Sequence, residues 1–264
     1  MNVQSRSTVM KASQRDILGL PVCDLDWAGA FDFVSGLAEM PIGQTTIAFL
    51  NANNANLMLR DDEYRSALER QIVLPDGHGV DIASQVFHGS SFPANLNGTD
   101  FVPALLTYMA KPKRVALIGA EHEVLQLAAQ KFREHTPWHE FHAISDGFFD
   151  KKDSDAVVER VRRLAPDILL VAMGTPVQEK WIDRHVSPGH ARLVISVGAL
   201  FDFVAGRVPR APPRMRKLRL EWLFRLAQEP KRLWYRYVVG NPVFLYHVAR
   251  YKFGTLLGRN DNGA

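Results

Sequence analysis

The alternation of short apolar segments with longer helical segments is the feature of this sequence that most constrains its fold. Six short segments have the apolar, β-branched content of buried strands: residues 46–50, 72–74, 114–118, 141–144, 168–172 and 193–197. Helical patterns lie between them, such as residues 55–69, 101–109, 123–134, 154–164 and 177–184. This order predicts an α/β, Rossmann-like fold, in which a mainly parallel sheet carries helices on both faces.

The sequence changes character after Phe203. Residues 206–213 are too rich in proline for regular structure, and the pattern is then helical and basic to about residue 258, interrupted by Pro230 and Pro242. We therefore expect three parts: a disordered N-terminus (residues 1–14), a Rossmann-like core (15–205) and a basic helical appendage at the C-terminus (206–264). A chain of 264 residues is long enough for one sizeable core plus such an appendage.

Charge is concentrated in this C-terminal part. Residues 206–259 contain thirteen Lys and Arg against two Glu, whereas the whole chain has a net charge of +4. Aromatic residues are interleaved with the basic ones: Trp222, Phe224, Trp234, Tyr235 and Tyr237. This mixture suits a surface that meets an anionic phospholipid interface and also holds phosphate.

The basic residues of the appendage have more than one interpretation. Arg225, Arg232 and Arg236 could clamp a pyrophosphate, because the guanidinium fork matches phosphate oxygens. Alternatively, all the basic residues serve only to hold an anionic leaflet, or they form a solvated helix face. Nucleic-acid binding is disfavoured, because the charges alternate with apolar residues at helical spacing and no nucleic-acid motif is present.

Several function classes find no support in the sequence. The single cysteine, Cys23, allows no intramolecular disulfide, and no metal is expected because the nine histidines show no ligand spacing. No cofactor is expected either. The sequence contains no P-loop and no G-x-G-x-x-G motif. It also lacks a secretory segment and a run of eighteen apolar residues. We therefore expect a protein that meets the membrane peripherally, from the cytoplasmic side.

Ligands of parallel α/β sheets bind beyond the carboxyl ends of the strands, so the turns after the strands hold the candidate site residues. Asp76 lies in such a turn, between Pro75 and Gly77. Its carboxylate could act as a general base toward a substrate hydroxyl. Alternatively, it is a turn residue that caps the next helix.

Three later turns carry further candidates. Gly174 permits close backbone approach before a helix start whose free N–H groups suit an anion, with Gln178 near that opening; the alternative is a well-capped strand–helix joint. Asp202 could accept hydrogen bonds from a base or a sugar, or cap a helix. In the turn with Gly147, Phe148 could stack on a nucleobase, or belong to the core.

Taken in order, these segments resemble the WecG/TagA/CpsF glycosyltransferases over about residues 46–237. Each motif is modest, but their joint order is highly specific. The motifs that carry the resemblance are Asn51 after a strand, Pro75-Asp76-Gly77, Gly98-Thr99-Asp100, Asp146-Gly147-Phe148-Phe149, Gly174-Thr175-Pro176-Val177-Gln178-Glu179, residues 198–202, Arg210-Ala211-Pro212, Leu220-Glu221-Trp222 and Glu229-Pro230-Lys231-Arg232.

The resemblance implies an inverting, metal-independent enzyme. Members of the family move a sugar from a UDP-sugar donor to a polyprenyl-diphosphate-linked sugar at the cytoplasmic membrane face, in teichoic acid, common-antigen and exopolysaccharide synthesis. It also implies a Rossmann-like catalytic core, with an appendage that completes the active site and approaches the membrane. A non-catalytic module that binds nucleotides or membranes is the alternative of a different class.

Residue by residue, the resemblance assigns the catalytic base to Asp76 and an active-site amide to Asn51. Gln178 corresponds to a Gln that faces the donor sugar. Phe148 and Asp202 lie where the uracil ring is held, and Arg225 and Arg232 correspond to arginines that bind the donor diphosphate.

Two positions depart from the family pattern. Phe49 stands where many relatives have Thr, and Tyr235 stands where some have Arg, with Arg236 next. These changes are compatible with a xanthan-type member that transfers glucose, and the alternative is transfer of N-acetylmannosamine or its uronate in a cell-wall or antigen pathway.

Overall fold

The computed structural model describes residues 12–212, 214–215 and 220–260, with side chains up to residue 254. Most of the N-terminal segment that we expected to be disordered, residues 1–14, lies outside these ranges, and Gln14 already belongs to the first strand. Parts of the expected appendage, residues 213, 216–219 and 261–264, lie outside them as well. Among the helices described, none has the length and apolar content needed to cross a membrane.

The core is a six-stranded sheet in the order β4-β3-β8-β7-β5-β6, with every neighbouring pair parallel. Its strands are β3 (Thr45–Leu50), β4 (Ile72–Pro75), β5 (Arg114–Gly119), β6 (Glu140–Ser145), β7 (Ile168–Ala172) and β8 (Leu193–Ser196). Each predicted strand is present to within one residue at either end. The predicted α/β, Rossmann-like fold is confirmed.

Two further strands, β1 (Gln14–Ile17) and β2 (Leu20–Cys23), form an antiparallel hairpin that the sequence did not reveal. The turn between them is Leu18-Gly19, and both residues have positive φ angles, 58° and 83°. Such turns are usually marked by Asn-Gly or Asp-Gly. A leucine in the left-handed region carries no such signal, which explains why the hairpin was missed.

The helices cover both faces of the sheet. Those of the core are α1 (Trp27–Glu39), α2 (Ala52–Met58), α3 (Asp62–Glu69), α4 (His78–His88), α5 (Gly98–Tyr108), α6 (His122–His135), α7 (Asp155–Leu164), α8 (Val177–His185) and α9 (Leu200–Val204). Those of the C-terminal segment are α10 (Glu221–Gln228), α11 (Pro230–Trp234), a π-helical turn (Tyr235–Val239) and α12 (Gly240–Asn260).

Alternate residues of each strand enter different core layers, as the period of two in a strand requires. In β3, Ile47 and Phe49 pack with α1, α5 and α6, whereas Ala48 and Leu50 pack with α2, α3 and α4 on the opposite face. On that second face, α7 and α8 cover β5 and β7. The sheet is therefore buried on both sides, which accounts for the nearly continuous apolar strands.

Two predicted helical features differ in the structure. The single helix predicted over residues 55–69 is two helices, because the Asp61 side chain accepts a hydrogen bond from Tyr64 N and begins α3. Pro242 does not interrupt the C-terminal helix, since it lies in the first turn of α12. The π-helical turn stands directly before it. A wider turn there relieves the clash of a proline ring with the carbonyl four residues earlier.

The C-terminal segment packs on the core. Phe244 and Val248 of α12 are only 1% and 2% exposed and join the apolar cluster formed by α2, α3 and α4. Asn56 Nδ2 of α2 donates to the carbonyl of Gly240 at 2.7 Å, which fixes the start of α12. These contacts bring the residues before α12 to the carboxyl edge of the sheet. The predicted division at residues 205 and 206 stays a prediction.

Candidate active site

The candidate site lies at the carboxyl edge of the sheet. Because all six strands are parallel, the turns that follow them open on this one edge. The predicted core residues therefore gather there: Asn51 after β3, Asp76 after β4, Gly147 and Phe148 after β6, Gly174 and Gln178 after β7, and Asp202 after β8.

A cleft of about 390 Å³ opens between this edge and the C-terminal segment. Four of the predicted site residues line it, two from the core and two from the C-terminal segment: Asn51, Asp76, Arg225 and Arg236. The remaining predicted site residues lie outside its lining. The cleft thus joins a carboxylate to two guanidiniums that are about 150 residues away in the sequence.

Asp76 is held at the bottom of a glycine turn. Its backbone N–H donates to the carbonyl of Leu50 at 2.8 Å, and the backbone N–H of Gly77 donates to Asn95 Oδ1 at 2.9 Å. Gly77 has a φ of 91°, a left-handed conformation that favours glycine, and it is the N-cap of α4 with no side-chain capping bond. Asp76 therefore does not cap the helix.

The Asn51 amide orients the carboxylate of Asp76. Asn51 Oδ1 accepts from the backbone N–H of Asn54 at 3.0 Å and so caps α2. This leaves Nδ2 to donate to Asp76 Oδ2 at 3.1 Å. Since the cap fixes which end of the amide faces the carboxylate, Asn51 serves as both a helix cap and a positioning group.

Burial raises the pKa of Asp76 above its ordinary value, although the side chain stays accessible through the cleft. The hydrogen bond from Asn51 and the charges of Arg236 and Arg225 act in the opposite direction, whereas Asp100 adds to the rise. Desolvation is the largest of these effects. A carboxylate with a raised pKa is a stronger base than a solvated one, which suits proton abstraction.

Each of the two cleft arginines has a hydrogen-bond donor without an acceptor in the described part of the chain. The Nε atoms of Arg225 and Arg236 are buried and have no hydrogen-bond partner in the described part of the chain. The Arg225 guanidinium lies over the ring of Phe203, 5.2 Å from its centroid, and that of Arg236 lies 5.6 Å from the ring of Tyr237. Buried donors without partners are costly, so they mark a place where an anionic ligand would be favoured.

Arg210 fastens the C-terminal segment to the core beside the cleft. It forms an ion pair with Asp100 at the start of α5, and its Nε lies 3.7 Å from Glu221 at the start of α10. It also stacks on the face of Phe203 at 5.2 Å, as Arg225 does. Arg210 therefore helps to fix α10, the helix that carries Arg225.

Gln178 occupies a different place from the one expected. It is only 2% exposed, and its Oε1 accepts from the backbone N–H groups of Gly174, at 3.2 Å, and Gly198, at 3.1 Å. Its amide oxygen is thus engaged in joining the turns after β7 and β8, and the side chain does not line the cleft.

The other predicted nucleotide-binding residues lie along the edge beside the cleft. Phe148 is 76% exposed, so it is not a core residue. Gly147 N donates to the carbonyl of Ala120 at 2.8 Å, which leans this turn toward β5. Burial raises the pKa of half-buried Asp202, against the charges of Arg207 and Arg232. Arg232 itself is exposed and forms an ion pair with Glu229.

Some residues of the cleft were not singled out from the sequence. Asn95 and Asn97 precede α5, Phe203 lies in α9, and Asn241 and Phe244 belong to α12. The asparagines near Gly98 were a signal that could have been used, since amides in loops often bind ligands or cap helices. Phe203 and Phe244 carried no such signal, because apolar residues in helices usually belong to a core.

Among the described residues, no group of three or more His, Cys, Asp or Glu is placed to hold a metal ion. The charges that face the cleft in the described ranges come instead from carboxylates and guanidiniums, such as Asp76, Arg225 and Arg236.

Comparison with known proteins identifies the family. The sequence is similar to an N-acetylglucosaminyldiphosphoundecaprenol N-acetyl-beta-D-mannosaminyltransferase of Bacillus subtilis (strain 168), with 34% identity over 70% of this chain and 72% of the relative. It is also similar to enzymes of the same name from Staphylococcus aureus (strain MW2), with 29% identity over 96% and 97% of the two chains, and from Bacillus spizizenii, with 29% identity over 88% and 91%.

The profile of the Glycosyl transferase WecG/TagA/CpsF family matches residues 15–257, a span that includes both sides of the cleft. The match covers the six-stranded sheet and the helices of the C-terminal segment up to α12. The chain therefore belongs to the WecG/TagA/CpsF family and is a glycosyltransferase.

Proposed function

We propose that this enzyme transfers a sugar, with inversion, from a UDP-sugar to the sugar of a polyprenyl-diphosphate-linked acceptor, and that Asp76 is its general base. The observation that best supports the proposal is the cleft, which is lined by a carboxylate of raised pKa and by two arginines whose buried Nε atoms have no partner in the described ranges. A base and a cluster of cations are what transfer to a hydroxyl requires when the leaving group is a diphosphate.

The reaction needs one proton transfer and one displacement. Asp76 takes the proton of the acceptor hydroxyl while that oxygen attacks the anomeric carbon from the face opposite the diphosphate. The bond between the anomeric carbon and the diphosphate oxygen breaks, and UDP leaves with the electron pair. Arg225 and Arg236 are placed to meet the developing negative charge. Arg232, which the resemblance also assigns to the diphosphate, is paired with Glu229 and lies outside the cleft.

We assign the nucleotide to the edge of the sheet beside the cleft, near Gly147, Phe148, Gly174 and Asp202. At ~4.8 Å per strand, the ends of β6 and β8 are roughly 14 Å apart. Phe148 and Asp202 can therefore contact the same uracil ring only if the turn that carries Phe148 leans across β5 and β7. The hydrogen bond from Gly147 N to the Ala120 carbonyl supports that lean.

N-acetylmannosamine is the favoured sugar. The three relatives compared above are named for transfer of that sugar to N-acetylglucosaminyldiphosphoundecaprenol, and their names support neither glucose nor xanthan synthesis. Glucose was suggested by Phe49 and Tyr235. Phe49 is buried in the core and Tyr235 is 60% exposed, and neither lines the cleft. The two departures from the family pattern therefore give no reason to change the donor.

A competition assay tests the donor. With a polyprenyl-diphosphate-linked N-acetylglucosamine acceptor, we expect kcat/KM for UDP-N-acetylmannosamine to exceed that for UDP-glucose by at least about tenfold. The two sugars differ at C2 in both substituent and configuration, and one buried polar group left unpaired already costs ~1–3 kcal/mol. Transfer is measured by mass spectrometry of the lipid product. A preference for UDP-glucose would restore the xanthan-type assignment. If neither sugar were transferred although UDP binds, the enzyme would use another donor sugar or another acceptor.

We also propose that the enzyme binds peripherally to the cytoplasmic face of the membrane, and the exposed side chains of the C-terminal segment support this proposal. Several of its large apolar side chains are 38–66% exposed: Trp222, Leu223, Trp234, Tyr235, Val238, Leu245, Tyr246 and Phe253. Lys231 and Arg232 are exposed among them. Aromatic residues with adjacent cations favour the interface of an anionic bilayer.

Membrane binding can be tested with one double substitution. Trp234→Ser with Tyr246→Ser should lower the partition coefficient for vesicles containing anionic lipid at least tenfold, because two exposed aromatic side chains no longer enter the interface. Co-sedimentation measures the effect. Ile42→Ser is the control, since Ile42 is 85% exposed on the core. Equal loss in both variants, or no loss in the double variant, would contradict a membrane site on the C-terminal segment.

A further inference from the structure

The start of α8 carries a buried polar network that the proposed reaction does not use. Gln178 and Glu179 are 2% and 1% exposed. The amide oxygen of Gln178 accepts two backbone N–H groups, one from Gly174 after β7 and one from Gly198 after β8. A single side chain thus ties together two turns that lie about twenty-four residues apart in the sequence.

Glu179 holds the other end of the same amide. Its Oε1 accepts from Gln178 Nε2 at 2.8 Å and from Thr175 Oγ1 at 2.9 Å. An amide can be turned by 180° with little change in shape, and its hydrogen-bond partners decide the orientation. With Glu179 present, the NH₂ group faces the carboxyl and the oxygen faces the two glycines. Without it, the buried NH₂ group of Gln178 would lose its acceptor, and the amide would be held only by the two backbone N–H groups, at 3.2 and 3.1 Å.

Burial of the Glu179 carboxyl group at this position destabilises the fold. Its Oε2 is buried and has no hydrogen-bond partner in the described ranges, and burial raises its pKa. An apolar side chain of similar size would avoid the cost of burying a carboxyl group. Stability alone therefore does not account for Glu179, whereas orientation of Gln178 does.

The two turns held by Gln178 lead to residues that we assign to the nucleotide. Gly174 is one of these residues, and Gly198 precedes α9, which carries Asp202 and Phe203. Phe203 in turn lies under the guanidinium of Arg225. A change in the orientation of the Gln178 amide would therefore move both the turn at Gly174 and, through α9, the Phe203 ring that lies under Arg225.

We propose that Glu179 is a positioning residue for UDP binding, which acts by fixing the orientation of the Gln178 amide and thereby the turns at Gly174 and Gly198. This role rests on the proposed function, because it assigns the nucleotide to those turns. It requires Glu179→Ala to weaken UDP binding, and Glu179→Gln to restore it, since the glutamine oxygen can accept the same two hydrogen bonds.

Amide hydrogen exchange, followed by NMR, tests the network without reference to any ligand. In Glu179→Ala, the amides of Gly174 and Gly198 should exchange at least about tenfold faster than in the wild type, whereas Glu179→Gln should change them by less than about threefold. Ile182→Ala is the control, because Ile182 is 2% exposed on the same helix in an apolar cluster. Equal acceleration in Glu179→Ala and Ile182→Ala, or none in either, would overturn the proposal.

Calorimetric titration with UDP tests the consequence. We expect Glu179→Ala to raise the Kd for UDP about tenfold, Ile182→Ala to leave it within about twofold, and Glu179→Gln to leave it within about threefold. The double variant Gln178→Ala with Glu179→Ala should bind UDP no more weakly than Gln178→Ala alone, because Glu179 acts through Gln178. If the two substitutions weakened UDP binding additively, Glu179 would not act through Gln178. Faster exchange of the two glycine amides with unchanged UDP affinity would also contradict the proposed role.

The two experiments separate this role from the proposed function. If the wild-type chain bound no UDP, the proposed function would fail and the role in UDP binding with it. The exchange measurement would still report whether Glu179 orders the two turns.

Discussion

Replacement of Asp76 by Asn is expected to lower the rate of sugar transfer by about 10²–10⁴-fold, the usual contribution of a general base. Asn has nearly the same shape as Asp and can still accept the hydrogen bond from Asn51, but it cannot take a proton from the acceptor hydroxyl. The affinity for UDP should stay within about threefold, because in the proposed reaction the carboxylate faces the acceptor and not the nucleotide. Single-turnover transfer and calorimetric titration of UDP measure the two quantities separately.

A second carboxylate in the same cleft provides the control. Asp81 on α4 also lines the cleft and is 5% exposed, but it does not follow a strand as Asp76 does. Asp81→Asn should lower the rate by less than about tenfold. If Asp76→Asn kept more than a tenth of the wild-type rate, or if Asp81→Asn were the more damaging change, Asp76 would not be the base.

The rate of transfer should also decrease at low pH. Only the ionised form of Asp76 accepts a proton, so kcat/KM should fall as pH drops through its pKa. Because burial raises that pKa, the acid limb should lie above the range of a solvated aspartate. Below the limb the carboxyl is protonated and inactive, and above it the rate no longer depends on this group. The limb should be missing from the residual activity of Asp76→Asn.

The six core strands could be predicted because each is a short apolar segment that ends at a polar or glycine turn. Residues 168–172, for instance, are fully apolar and lead into Gly174. Once the strands are parallel, the topology places their turns on one edge, so the neighbourhood of Asn51 and Asp76 follows from the sequence as well. The β1–β2 hairpin does not, because a Leu-Gly turn lacks the usual signal.

The closure of the C-terminal segment over Asp76 could not be predicted from local patterns. It depends on the packing of Phe244 and Val248 into the core, and no local pattern shows that these two residues are buried there. It also depends on the π-helical turn, which adds about one residue to a helical turn and rotates the following side chains by roughly 100°. Arg236 lies near the start of that turn and Phe244 lies after it, so the α-helical period alone gives the wrong direction of one side chain relative to the other.

The hydrogen-bond partners of Gln178 could not be predicted from the sequence for a different reason. Its position after a Gly-Thr-Pro turn predicted a side chain near a ligand, but its two backbone partners include Gly198, which is twenty residues away. Hydrogen bonds between turns of different strands depend on the order of strands in the sheet. The helix pattern could indicate where Gln178 lies, but not which group its amide would satisfy.

Replacement of Arg236 by Gln is expected to lower kcat by about 10²–10³-fold, since it removes a preorganised donor from the charge that develops on the leaving diphosphate. Arg225→Gln should have an effect of similar size, because both guanidiniums have buried Nε atoms without a partner in the described ranges. Lys231→Gln, which removes an exposed charge from α11, is the control and should stay within about threefold of the wild type. Rapid-quench measurement of a single turnover isolates the chemical step.

Arg232→Gln distinguishes between the two possible pairs of arginines. The family resemblance pairs Arg225 with Arg232 at the diphosphate, whereas the cleft pairs Arg225 with Arg236. Arg232 is exposed and already paired with Glu229, so its replacement should lower kcat by less than about tenfold. A loss as large as that of Arg236→Gln would show that Arg232 leaves Glu229 and enters the site when the donor binds.

The pH profile of Arg236→Gln separates its effect on the base from its effect on the leaving group. The positive charge of Arg236 holds the pKa of Asp76 below the value that burial alone would give. Its removal should therefore move the acid limb of kcat/KM to higher pH, because the carboxyl stays protonated longer. Well above the limb the base is ionised in both enzymes, so the loss that remains there belongs to the leaving group. An unmoved limb would mean that the guanidinium does not face Asp76 in the working enzyme, and full recovery at high pH would mean that it does not face the diphosphate.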